Sequence, residues 1–237
     1  MELLTNPDVW IAFLTLCALE IVLGIDNIIF ISILTCRLPK EQEAKARQLG
    51  LGLAMFMRLG LLFSISWLMK LTAPLITVGT NELSGRDLIL LLGGLFLMYK
   101  SVKEIHAKVE ESGKPAENVR QAKFSAVISQ ILIVDLVFSL DSVITAVGMV
   151  EHIEVMVAAV VVSVAVMMLA AKPISDFVSK HPAVKVLALA FLIMIGVALV
   201  GEGLDFHIPK GYIYFAMAFS VGVEFINITL KNRSKAH

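Results

Sequence analysis

Two apolar stretches of this chain carry the same acidic pattern. One reads Glu20-x5-Asp26-Asn27 and the other Asp135-x5-Asp141-Ser142. A carboxylate at bilayer depth is costly, so it sits there with a partner or a task. Two copies of one costly arrangement point to a single shared site, and a cation is its simplest occupant. The donors are carboxylate, amide and hydroxyl oxygens, hard ligands suited to Mn2+, Mg2+ or Ca2+. The five histidines, His106, His152, His181, His207 and His237, all fall outside the apolar stretches. That disfavours Zn2+, Ni2+ or Cu2+ in the membrane. Met55, Met57, Met167 and Met168 lie within apolar stretches. A thioether there could tune selectivity toward Mn2+ over Mg2+, although such residues more often fill a core.

Helix geometry constrains how these side chains meet. Glu20 and Asn27 are seven apart and share a face, while Asp26 lies about 120° round from Glu20. Asp135, Asp141 and Ser142 repeat the relation. Either each helix offers a wide polar face, or it unwinds near Gly24 and Ser139 and frees carbonyls as further ligands. Each acid pair is separated by about 9 Å along a helix axis. Four carboxylates in a low dielectric cannot all be ionised and unpaired. Arg58 is the expected internal counter-ion, since its guanidinium stays charged. Lys100 is expected to snorkel. Glu224, on one face with Asn227, is a candidate extra ligand or proton carrier.

The elements that position these groups follow from composition. The chain has 237 residues, of which 58% are hydrophobic, far more apolar surface than a soluble domain of this size can hide. The expected fold class is all-α, a polytopic membrane helix bundle in the lipid bilayer; the runs are too long and continuous for a β-barrel. Seven spans are expected, at about 9–35, 49–71, 87–103, 124–150, 154–171, 184–201 and 211–230, the fifth and sixth being short for a hydrocarbon core of about 30 Å. All form one domain: a first repeat over 9–103, a linker over 104–123 that includes Ser112-Gly113-Lys114-Pro115, a second repeat over 124–201 and an additional helix over 211–230. Residues 103–111 could extend the third span. Lys and Arg number 20 and Asp and Glu 20, so net charge suggests no nucleic-acid partner. Placement is more informative. Fifteen basic residues fall on the side of the first, third and fifth connections and the tail, against three on the other. The N-terminus is then outside and the C-terminus cytoplasmic. The N-terminus lacks the basic region of a cleavable signal, and Cys17 and Cys36 suggest no disulfide.

With that orientation the two motifs cross the membrane in opposite directions. The chain reads as a 3+3 inverted repeat plus one helix, a plan that transporters use with the site near the midplane. Gly50-Leu51-Gly52 and Gly93-Gly94 allow close helix contact, within one protomer or between two, and leave a homo-oligomer open.

On Glu20-x5-Asp26-Asn27, Asp135-x5-Asp141-Ser142 and the seven-span layout, the chain resembles the TerC family of integral membrane proteins, and most its short, membrane-only members. The tail after Leu230 is too short for the cytoplasmic domains that some relatives append. The resemblance implies a bacterial inner-membrane protein grouped with LysE-type transporters. It also implies a role in Mn2+ efflux or in supplying Mn2+ to exported enzymes, with Glu20, Asp26, Asp135 and Asp141 matching the family's acidic residues.

The expectation is therefore a non-enzymatic exporter of a divalent cation, Mn2+ first, with no prosthetic group. Glu20, Asp26, Asn27, Asp135, Asp141 and Ser142 would hold the metal. No P-loop is present, so a proton or the membrane potential would drive it. Two rivals remain: export of a small cationic organic solute, and metal delivery to exported proteins without flux. An intramembrane aspartyl protease is disfavoured by the absence of Gly-x-Gly-Asp.

Overall fold

The structure, a computed structural model, describes residues 7–78, 81–111, 122–150 and 152–234. In chain order it contains α1 (Pro7–Thr35), α2 (Lys40–Phe63), a short α3 (Ile65–Leu71), the strands β1 (Pro74–Val78) and β2 (Asn81–Ser84), and α4 (Gly85–Glu111). Then follow α5 (Phe124–Met149), α6 (Ile153–Lys180), α7 (Pro182–Glu202) and α8 (Lys210–Ser234). Pro7 and Pro182 occupy first helical positions, where a missing N–H is harmless. α2 has Pro39 before it and Glu41 and Glu43 in its first turn, which complement the helix dipole.

Among the described residues, six helices are long and apolar enough to cross a membrane: α1, α2, α5 up to Gly148, α6, α7 and Gly211–Lys231 of α8. Six of the seven expected spans thus have spanning length and polarity. The third, α4, is one continuous helix but carries Arg86, Asp87, Lys100, Lys103 and Glu104. Its uncharged stretch, Leu88–Tyr99, covers roughly 18 Å at 1.5 Å per residue, well short of the hydrocarbon thickness.

Several boundaries differ from the sequence reading. The second span is not one helix over 49–71. It begins at Lys40, stops at Phe63 where the Ser64 N–H turns back to the carbonyls of Gly60 and Leu61, and resumes as α3. The antiparallel hairpin β1–β2 follows, an addition to an otherwise helical chain. α6 runs through Pro173 to Lys180 rather than ending near 171. Proline removes one backbone donor, a loss that membrane helices tolerate when neighbours satisfy the freed carbonyl. α4 extends to Glu111, so the first part of the expected linker is helix; residues 112–121 lie outside the described ones.

Packing is interleaved along the chain. α1 lies on α6, α2 on α5 and α6, α4 on α7, and α1 also touches α5. α8 leans chiefly on α7 and is almost entirely exposed. The central layer buries Phe30, Ile33, Leu34, Leu97, Ile131, Leu189 and Leu192. Small residues set the closest approaches. A Cβ on Gly94 would stand 2.6 Å from the Gly196 carbonyl oxygen, and one on Gly196 would stand 2.8 Å from that of Gly94. The pair Gly93-Gly94 therefore serves contact within the protomer, Gly93 against Val137 of α5. Between α1 and α6, Ser163 Oγ donates to the Cys17 carbonyl at 3.4 Å.

Candidate functional site

Both motif helices are unbroken through their acids. Gly24 does not open α1. It makes room for α6, since a Cβ there would lie 2.1 Å from Met167 Sδ. Ser139 is fully buried, and its hydroxyl donates to Asp135 Oδ2 at 3.1 Å.

The four acids divide into two pairs, each with one member from either motif. Glu20 of α1 and Asp135 of α5 close on Arg58 of α2. Arg58 Nη1 donates to Glu20 Oε2, and Nη2 donates to Asp135 Oδ1 at 3.0 Å. Asn27 Nδ2 donates to the same Asp135 oxygen at 2.8 Å. The side chains of Arg58, Glu20 and Asp135 are 3%, 7% and 5% exposed, so the cluster is sealed. The planar fork of a guanidinium suits two carboxylates at once, which a lysine could not match.

The second pair, Asp26 and Asp141, faces a common cavity. Leu23, Phe138, Ile195, Leu199, Ile213, Tyr214 and Glu202 are among its walls. Asp26 is buried, and among the described residues it makes no hydrogen bond or ion pair with another side chain. Asp141 is partnered: Arg86 Nη2 donates to its Oδ1 at 2.8 Å and reaches Glu202 Oε1 at 3.4 Å. Arg86 is held by a capping box at the start of α4. The Ser84 N–H donates to Asp87 Oδ2 at 2.9 Å and the Asp87 N–H donates to Ser84 Oγ at 3.3 Å. Glu202 ends α7 and also meets His207 Nδ1 at 3.0 Å.

The remaining expected site residues are placed as follows. Ser142 donates to the Ser139 carbonyl at 3.3 Å and faces a neighbouring cavity with Glu20; Tyr214 lies between the two cavities and lines both. Glu224 lies apart, in a groove between α7 and α8 with Ala183, Val186 and Phe219, and accepts from Asn227 Nδ2 at 3.4 Å. Lys100 pairs with Glu104 at 3.4 Å, and Arg37 holds the other oxygen of that buried carboxylate. Lys100 therefore neutralises no motif acid. Thus Glu20, Asn27, Asp135 and Arg58 come together in one cluster, Asp26 and Asp141 in another, and Ser142 and Glu224 in neither. Among the described residues no three His, Cys, Asp or Glu side chains stand close enough to enclose a metal ion. The carboxylates that line the cavity are Asp26 and Asp141, with Glu202 at the α7 end.

Arg86, Glu202 and Tyr214 were not anticipated. Arg86 reads in the sequence as one of three basic residues on the sparsely charged side, and Glu202 as a loop residue after Gly201. The signal that could have found them is charge at both edges of apolar stretches, Arg86-Asp87 before Leu88 and Glu202 after Val200.

The model of the integral membrane protein TerC family matches residues 5–237. A protein of Haemophilus influenzae called UPF0053 protein is 57% identical over 235 residues, covering 99% of both chains. The Escherichia coli UPF0053 inner membrane protein YgdQ is 56% identical, covering 95% of this chain and 94% of its own. The UPF0053 inner membrane protein YoaE of the same species is 55% identical over 96% of this chain, which spans only 44% of YoaE. No solved structure matches.

Proposed function

The chain belongs to the TerC family of integral membrane proteins, and from that premise we propose that it carries a divalent metal cation across the bacterial inner membrane, Mn2+ being the favoured substrate and efflux the direction. One observation carries the reading. The first acids of the two motifs are both paired with Arg58, while the second acids, Asp26 and Asp141, face one cavity. A buried carboxylate without a partner is a standing cost, which a bound cation would remove. Carboxylate oxygens favour a hard ion, and the described site offers no histidine beside the two aspartates.

The packing supports an inverted repeat of α1, α2 and α4 with α5, α6 and α7. Exchanging the halves maps the α1–α6 contact onto α2–α5 and leaves α4–α7 and α1–α5 as self-matched pairs, all of which are present. With the N-terminus outside, Arg86 and Glu202 stand at the outer ends of α4 and α7, and the cavity belongs to an outward-facing arrangement. Rocking of the halves would expose Asp26 to the other side. A proton on either aspartate would compete with metal, which couples flux to a proton gradient. The protein on this reading is a carrier and not an enzyme, and needs no prosthetic group.

A second reading has its own support. The cavity walls are mostly apolar, and Tyr214 could stack on a cation. That suits an organic amine such as a basic amino acid. Purified protein in proteoliposomes separates the two: Mn2+ flux should persist in excess lysine. The variants Asp26→Asn and Asp141→Asn should fold and insert yet lose at least about 90% of Mn2+ flux, as expected when a ligand acting in both binding and release is removed. Full flux in both variants would remove the site from consideration. Metal-dependent binding to an exported partner with no flux would favour delivery instead.

A further inference from the structure

The two arginines that meet the motif acids differ in how firmly they are held. Arg58 is enclosed, with each terminal nitrogen on a carboxylate of its own. Arg86 shares one nitrogen, Nη2, between Asp141 at 2.8 Å and Glu202 at 3.4 Å. Its Nη1 stands 3.5 Å from Asp87 Oδ1, and its Nε is buried with no hydrogen-bond partner among the described residues. Its side chain is 20% exposed against 3% for Arg58. A loosely satisfied guanidinium at the edge of a cavity can move; a sealed one cannot.

We propose that Arg86 is a tethered competitor for the cation site: it occupies Asp141 when no cation is bound and passes to Glu202 when one arrives. This rests on the cation-site reading above and adds its regulation. The charges fit the exchange. A divalent cation neutralises Asp26 and Asp141 together, which leaves no charge for Arg86 to meet there. Glu202, already within reach, takes the guanidinium, and Asp87 stays beside it. Arg86 therefore never becomes a buried charge without a counter-ion, the condition that makes breaking such pairs costly. The capping box holds the base of the side chain, so a swing of its end completes the change. On release, the returning guanidinium displaces the metal. The device sets turnover by preventing the site from holding its substrate too tightly.

The test uses the unaltered full-length protein in liposomes. Phenylglyoxal labels accessible arginines, and peptide mass spectrometry reads each position with and without Mn2+. Binding of Mn2+ should raise labelling of Arg86 severalfold and leave Arg58 unlabelled, the reverse of the usual protection by ligand. In parallel, electron paramagnetic resonance of free Mn2+ gives the affinity of the parent, Arg86→Gln, Arg86→Lys and Asp26→Asn. Arg86→Gln should bind Mn2+ about tenfold more tightly, because an opposing charge has left the site, and turn over more slowly. Arg86→Lys should stay near the parent, and Asp26→Asn should bind weakly. If Mn2+ leaves Arg86 labelling unchanged or lowers it while Asp26→Asn still weakens binding, the cation site stands and the competitor is refuted. If Asp26→Asn and Asp141→Asn both bind as the parent does, the site itself is refuted. Should Arg86→Gln fail to fold, labelling of the parent decides alone.

Discussion

At the residue scale the chain separates acids that look alike on paper. Glu20, Asp26, Asp135 and Asp141 have equal standing in the sequence, and their spacing points to one shared site. The fold sorts them by whether an arginine reaches them. Arg58 was legible because a lone guanidinium in the middle of an apolar stretch must find carboxylates. Arg86 was not, because at a helix start it reads as an ordinary loop cation, and only tertiary packing brings Asp141 of α5 and Glu202 of α7 beside it. The Arg58 cluster makes a firm prediction. Arg58→Met leaves Glu20 and Asp135 buried without a counter-ion and should cost about 3–5 kcal/mol. Adding Glu20→Gln and Asp135→Asn should recover much of the loss. Thermal denaturation in detergent, followed by size-exclusion chromatography, measures both.

At the scale of elements, the glycines on helix faces have different tasks. A methyl on Gly94 meets backbone, the Gly196 carbonyl, so α4 and α7 must part. A methyl on Gly24 meets the end of Met167, which can turn aside. Gly94→Ala should therefore destabilise by about 1–3 kcal/mol, and Gly24→Ala by less than about 1, the helix propensity of alanine offsetting part of each. Melting temperatures of the two variants give the comparison. In the sequence Gly24 is a place where α1 could unwind; sequence cannot distinguish a glycine that breaks a helix from one that admits a neighbour. The hairpin was likewise unread. The β-branched run Ile76-Thr77-Val78 before Gly79 is a strand signal, but between two apolar stretches it reads as part of their connection.

At the scale of the whole molecule, the helical membrane architecture is plain from the sequence, since apolar runs this long and continuous satisfy their backbone in lipid as helices rather than as barrel strands. The distribution of Lys and Arg predicts a cytoplasmic C-terminus. A fluorescent protein fused there should fluoresce in cells and alkaline phosphatase fused there should stay inactive; the reverse pattern would invert the molecule. What composition could not show is how one poorly apolar helix is kept in the bundle. α4 presents Leu92, Leu95, Tyr99 and Val102 outward, while Arg86 near its start is tied to α5 and α7, and Glu104 to Arg37 in the turn between α1 and α2. Its uncharged stretch of roughly 18 Å is about 60% of a hydrocarbon core of about 30 Å. Fatty-acyl tails beside α4 must shorten, tilt or crumple to meet that stretch. The helix that carries Arg86 is thus in mechanical conversation with the lipids next to it, and a cell that lengthens or stiffens its acyl chains changes the load on the mouth of the cavity.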